Sequence, residues 1–181
     1  MKLRGSFLIA MPDMLDPNFQ RSVVVILDHN EQGCVGLVVN RPSRLPMAEF
    51  AQVLEVDWVG AEPALTYVGG PVQRDVVWLL HGVDEEVPGS QLVVPGISYA
   101  LTRDALEALA VVDTPKRRVY RGYAGWGPGQ LEAEIRQGAW LTREAEADLV
   151  YWPDSSEVWE RALRRSGIEP HALVAAGGYV H

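Results

Sequence analysis

Ser22-Val23-Val24-Val25-Ile26-Leu27-Asp28, then His29-Asn30-Glu31-Gln32-Gly33, then Val35-Gly36-Leu37-Val38-Val39-Asn40: two apolar runs flank a cluster of turn-forming residues. β-Branched residues favour strands, and Asn and Gly in the connection favour a tight reversal, so the stretch predicts a β-hairpin. The same punctuation repeats on either side of it. Most of the 24 valines fall in short runs bounded by Gly, Pro, Asn or Asp. Further strands are expected at Gly5–Ala10, Leu65–Val68, Asp75–His81, Gln91–Val94, Arg117–Tyr123 and Asp148–Trp152.

Helical spacing is confined to four segments. In Pro46–Glu55, Met47, Phe50, Ala51 and Leu54 recur every three or four residues. Thr102 is placed to cap Arg103–Val111, and Asp154 with Glu157 forms a capping box for Ser155–Arg165. Gly129–Gln137 carries Leu131 and Ile135 four apart. Strands outnumber helices and do not alternate regularly with them, which predicts an α+β fold over a doubly wound sheet. No repeat, low-complexity tract or long linker interrupts the chain, so one domain over 1–181 is expected.

Length and composition exclude several classes of protein. A chain of 181 residues, 48% hydrophobic, suits one globular unit. One cysteine permits no intrachain disulfide, and four histidines with one thiol disfavour a structural zinc cluster. The run Phe7-Leu8-Ile9-Ala10-Met11 stops at Pro12, short of the roughly 7–15 apolar residues of a signal peptide and the roughly 20 of a spanning helix. A cytoplasmic protein with no membrane partner is therefore expected. The formal charge of −8 repels polyanions. Nucleic-acid binding would need local patches, such as Lys116, Arg117, Arg118 and Arg121 or Arg161, Arg164 and Arg165.

Two constellations could carry chemistry. Gly122-Tyr123-Ala124-Gly125-Trp126-Gly127-Pro128-Gly129-Gln130-Leu131-Glu132 joins a predicted strand to a predicted helix. Its glycines allow close backbone approach, and a helix N-terminus attracts anions. Gln130 occupies the third glycine position of a dinucleotide fingerprint, and no phosphate-loop lysine motif exists, so no cofactor is implied. The alternative is a tight corner with Trp126 and Tyr123 packed inward. The second constellation is polar: Asp13, Asp16, Asn18 and Arg21, then His29, Asn30 and Asn40-Arg41-Pro42. Two prolines stiffen the Met11–Pro17 loop, so Asp16 and Arg21 could be held in a fixed relation, as a site or as a structural ion pair. Cys34 lies in an apolar run and fits a packed thiol better than a nucleophile. His81 ends a strand; with Asp16 and Ser98 it could form a hydrolytic centre.

The order and spacing of these residues resemble the AlgH/YqgE family of bacterial proteins. The resemblance opens with Gly5-Ser6-Phe7-Leu8-Ile9-Ala10-Met11-Pro12, Met14, Asp16-Pro17, Phe19 and Arg21-Ser22-Val23. It continues through His29-Asn30, Gly33, Gly36-Leu37-Val38, Asn40-Arg41-Pro42, Gly69-Gly70-Pro71-Val72 and His81. The Gly122–Glu132 motif and Ala139-Trp140-Leu141-Thr142 complete it. Val76-Val77 and the terminal Gly177-Gly178-Tyr179-Val180 depart from the pattern. The resemblance implies a single domain with a branched, mostly antiparallel sheet curled into a partial barrel and flanked by helices. It carries a link to regulation and supplies no catalytic residue, metal or cofactor.

The expected role is non-catalytic binding of a small molecule or protein partner, in regulation. The expected site is a cleft uniting Asp16 and Arg21, His29, Asn40 and Arg41, and the Gly125, Trp126, Gly127 and Gln130 corner. A DNA-binding regulator acting through the arginine groups and a small hydrolase using His81 are the rival expectations. Oligomeric state is open.

Overall fold

In the computed structural model, which describes residues 2–60 and 62–170, the hairpin is present and central. Strands β2 (Val23–Asn30) and β3 (Gly33–Val38) pair antiparallel, with Asn30 opposite Gly33 across a two-residue turn. Val23 to Leu27 are all buried. Val23, Val25 and Leu27 face one core, and Val24 and Ile26 face another. Burial on both faces explains a continuous apolar run where a half-exposed strand would alternate.

Outside the hairpin lie β1 (Ser6–Ala10), β4 (Pro42–Pro46), β5 (Leu65–Val68), β6 (Val72–His81), β7 (Gln91–Val94), β8 (Ile97–Ala100), β9 (Arg117–Trp126) and β10 (Trp140–Glu144). The main path of the sheet runs β10-β1-β2-β3-β9-β6-β8-β7, and β4 and β5 form a branch. Neighbours are antiparallel except β5 and β9. The branch occurs on β9, where one edge serves two strands: Tyr120 and Arg121 pair β5, and Ala124 to Trp126 pair β3. Gly122 sits between the two pairings at φ +77°, and a Cβ there would press on the Gly70 carbonyl. Only glycine takes this conformation at so close an approach without strain.

Five α-helices cover the sheet among the described residues: α1 (Met47–Val53), α2 (Arg103–Ala110), α3 (Gln130–Arg136), α4 (Ala147–Val150) and α5 (Val158–Arg165). Thr102 caps α2 by accepting the Ala105 N–H, and Asp154 accepts the Ser156 N–H at the 3-10 turn leading into α5. One core cluster gathers residues from strands across the whole sheet together with α4 and α5, as a curled half-barrel requires. A second lies under α1 and α2, and a third under α3. The fold is thus the expected single α+β unit.

Two expectations about elements need correction. Asp148–Trp152, read as a strand, is helix α4 followed by a turn, with Leu149, Val150 and Tyr151 consecutively buried. An apolar run this short carries no usable period, and packing against α5 decides its form. Strands β4, β8 and β10 were not anticipated. Terminal prolines mark β4 as an edge strand, and it pairs only β5. The Gly177–Val180 departure lies outside the described residues, as do His171 and His181.

Candidate functional site

The polar loop before β2 is held from beneath by Asn40 and Arg41. Asn40 Oδ1 accepts the Val23 N–H at 2.9 Å, and its Nδ2 donates to the Arg21 carbonyl at 3.0 Å. The Arg41 guanidinium donates to the carbonyls of Pro17, Asn18 and Gln20. Burial lowers the Arg41 pKa from its ordinary value, and nearby Asp16 opposes the shift. Asp16 itself accepts the Asn18 N–H at 2.9 Å, closing its own turn. Arg21 does not pair with Asp16. Its guanidinium carbon lies 4.7 Å from the Trp159 ring centre, and it meets Glu160 at 3.3 Å.

The glycine-rich corner is equally self-contained. Gln130 Oε1 accepts the Gly127 N–H at 3.0 Å, and its Nε2 donates to Glu134 Oε2 at 3.0 Å. Glu134 Oε1 accepts both indole N–H groups, from Trp126 at 3.2 Å and Trp140 at 3.0 Å. His29 Nδ1 accepts the Leu3 N–H, so its Nε2 carries the proton and donates to Glu132. That hydrogen bond holds the Glu132 carboxyl below the usual carboxylate range. Cys34 is buried beside this end of the hairpin, and burial pushes its thiol up to about 12, with Glu132 and Asp28 adding to the shift. It is no thiolate at neutral pH.

These segments do not share one hollow. His29 lies next to the turn of the hairpin and Asn40 at its open end, bonded to Val23 six residues before His29 and so roughly 20 Å away at about 3.3 Å per strand residue. A cavity of about 430 Å³ lies against Asn30, Cys34, Tyr123, Gly125 and Trp126. A separate one of about 300 Å³ lies against Pro17, Asn18, Arg41, Pro71 and Arg74. What links loop to corner is packed aromatic surface: the Phe19 ring lies 5.8 Å from Trp126 and 5.6 Å from Trp140, centre to centre.

The groups behind the two rival readings are dispersed as well. His81 faces Ser98 across β6 and β8, but its Nε2 bonds Ser90 Oγ at 2.7 Å, and Asp16 stays in its loop turn beside Arg41. Burial lowers the His81 pKa, and its Nδ1 has no partner among the described residues. Arg117 points inward, its guanidinium held by the carbonyls of Val59, Leu109 and Ala110 and lying 4.2 Å from the Trp58 ring centre. Arg121 lies over Phe50 on the same side of the sheet, and Arg118 on the other. On α5, Arg161 pairs Glu157, Arg164 pairs Glu160 and Glu169, and Arg165 pairs Glu146 and Asp148. Each of these α5 arginines meets a carboxylate, and Arg118 and Arg161 both contact Trp152, one at its carbonyl and one at its ring.

A third concavity, larger than these two, lies at the branch. Parallel pairing of β5 with β9 is limited to Tyr67–Tyr120 and Val68–Arg121. Before those residues the strands separate, and Arg117 to Val119 keep a strand partner only on the β6 edge. The wedge between them is a cleft of about 630 Å³, within the range of small-molecule sites. Trp58, Tyr67 and Tyr151 supply flat walls, and Arg118 supplies a cation beside them. The Arg118 guanidinium carbon lies 4.7 Å from the Tyr67 ring centre, and Nη2 donates to the Trp152 carbonyl at 3.1 Å. Tyr151 is 9% exposed, and its hydroxyl has no hydrogen-bond partner among the described residues. Burial raises its pKa well above the ordinary value, while Arg118 acts in the opposite direction. Sequence reasoning missed this site because its walls come from four separate segments. One signal was present: neighbouring residues on a strand face opposite ways, so Arg117-Arg118 could not form a single basic patch.

The curled, branched sheet and its helical cover define a class of α+β proteins whose sequence relatives are known. Residues 7–171 match the AlgH-like family, and the chain belongs to that family. It is 41% identical over 177 residues to a UPF0301 protein of Myxococcus xanthus, covering 97% of each chain. A UPF0301 protein of Cereibacter sphaeroides is 41% identical over 185 residues, covering 99% of this chain and all of that one. Among solved structures, the AlgH protein of Pseudomonas aeruginosa superposes with a TM-score of 0.76 at 36% identity, covering 97% of this chain and 94% of that one. A Corynebacterium diphtheriae protein gives a TM-score of 0.76 at 29% identity, covering 91% and 87%. Among the described residues no helix is long and apolar enough to cross a membrane.

Proposed function

We propose that this AlgH-like protein acts without catalysis, by binding a small molecule in the cleft between β5 and β9, and that occupancy of the cleft is its regulatory output. One observation carries the reading: Tyr151 and Arg118 line the same cleft, and the buried Tyr151 hydroxyl has no partner among the described residues. A buried polar group without a partner costs about 1–3 kcal/mol, which a bound acceptor would offset. The loop and corner residues favoured by sequence have their polar groups engaged within the protein, which argues for the cleft over either of them.

Ligand-observed NMR against a mixed metabolite library tests the reading, with wild-type protein and the Arg118→Met and Arg41→Ala variants. The expected result is a set of binders lost in Arg118→Met and retained by folded Arg41→Ala protein. Binders indifferent to Arg118→Met would contradict it.

A further inference from the structure

We infer that the β5–β9 cleft takes a zwitterion of amino-acid type, with its carboxylate on Arg118 and Tyr151, its ammonium toward the acidic rim and an apolar side chain between Trp58 and Tyr67. This rests on the cleft being the binding site. The argument begins with the donors. A guanidinium has five N–H groups, and the one hydrogen bond Arg118 makes among the described residues goes to the Trp152 carbonyl. The contact of its guanidinium with the Tyr67 ring holds the remaining donors in place. The Tyr151 hydroxyl adds another donor without an acceptor. A guanidinium and a phenol lining one cavity recognise a carboxylate well, since both of its oxygens accept.

The remaining charge in the cleft restricts the choice. Glu62, Asp113 and Asp154 line it and make no ion pair among the described residues. Arg117 is turned toward main-chain carbonyls, leaving Arg118 as the cation available to a ligand in this wall. Three carboxylates against two guanidiniums, with the donors of Arg117 already spent on carbonyls, disfavour a polyphosphate, and a simple monoanion gains Arg118 but leaves the acidic rim unanswered. A molecule with one negative and one positive end meets both. The cleft is also lined by Met47, Leu65 and Val119 with the rings of Trp58 and Tyr67, of which Leu65 is the most exposed, apolar surface suited to an aliphatic or aromatic side chain.

Isothermal titration calorimetry of the full chain with L-phenylalanine, 3-phenylpropionate, 2-phenylethylamine and adenosine monophosphate tests the inference. A thermal-shift panel of the common L-amino acids covers the other side chains. The expected result is that at least one apolar L-amino acid binds and that its amine-only and acid-only analogues bind about tenfold or more weakly. Tyr151→Phe should weaken that binding several-fold without lowering the melting temperature, and Arg118→Met should abolish it. Equal affinity for 3-phenylpropionate, or no amino acid binding at all, would overturn the zwitterion. Adenosine monophosphate binding lost in Arg118→Met would also overturn it while leaving the cleft as the binding site.

Discussion

Arg118 lies over Tyr67, guanidinium carbon to ring centre 4.7 Å, at the point where β5 and β9 part. The contact orients a charge that has no carboxylate partner among the described residues. A cation–π contact contributes about 0.5–2 kcal/mol depending on desolvation, enough to hold a side chain in place but not to neutralise it. The arrangement is a fixed cation at the mouth of a cleft.

Tyr151→Phe tests whether the protein tolerates its unpartnered hydroxyl at a cost to stability. Removing a buried group that makes no hydrogen bond should leave stability unchanged or raise it by about 1 kcal/mol. Urea denaturation without ligand checks this. A loss greater than about 1 kcal/mol would mean that the hydroxyl bonds within the protein after all.

Arg41→Ala should destabilise the protein by about 2 kcal/mol, because three main-chain carbonyls of the loop lose their donor together. Asn40→Ala should do the same through the orphaned Val23 N–H. Hydrogen exchange should quicken across residues 16–23 in both variants. An unchanged denaturation midpoint would show that the loop holds itself.

Glu134 joins α3 to two tryptophans and to Gln130. Glu134→Leu should cost about 2–3 kcal/mol by stripping the acceptor from both indole N–H groups. Near-ultraviolet circular dichroism should lose aromatic signal from the Phe19–Trp126–Trp140 cluster. A variant with native spectrum and stability would reduce Glu134 to a surface residue.

His81 makes a pH prediction whose sign follows from burial. Its folded pKa lies below the ordinary 6.5, so below about pH 6.5 the unfolded chain binds a proton that the folded chain does not. Stability should fall with acidity from there down to the folded pKa, with no contribution from this group at higher pH. His81→Gln, which can keep a bond to Ser90, should flatten that limb in denaturation curves between pH 5 and 7. A limb unchanged by the substitution would show that His81 does not carry it; carboxylates such as Glu132, Glu146 and Asp148, with depressed pKa values, lose their stabilising contribution only at lower pH.

Much of the fold was legible because its signals are local. Valine runs and Asn-Gly punctuation placed β2 and β3, and Thr102 and Asp154 marked their helix starts. Asp148–Trp152 failed because three consecutively buried residues in so short a run carry no period, and β4 because its prolines concealed an edge strand. The site was far less legible. Asp16, Asn40, Arg41 and Gln130 stood out as polar residues at strand ends, yet each satisfies main-chain or side-chain partners that only tertiary structure reveals. The cleft depends on two strands that pair through only two residues and stand apart before them, a feature of register that no single segment encodes.

The most direct test of the cleft as the binding site is a ¹H–¹⁵N chemical-shift titration of the labelled protein with its tightest-binding L-amino acid. Shifts should concentrate on the Trp58 indole, Tyr67, Arg118, Val119, Tyr151 and Ser155, and disappear in Arg118→Met. Shifts clustered instead on Asn30–Val35 and Gly125–Gln130, or on the loop held by Arg41, would contradict the account.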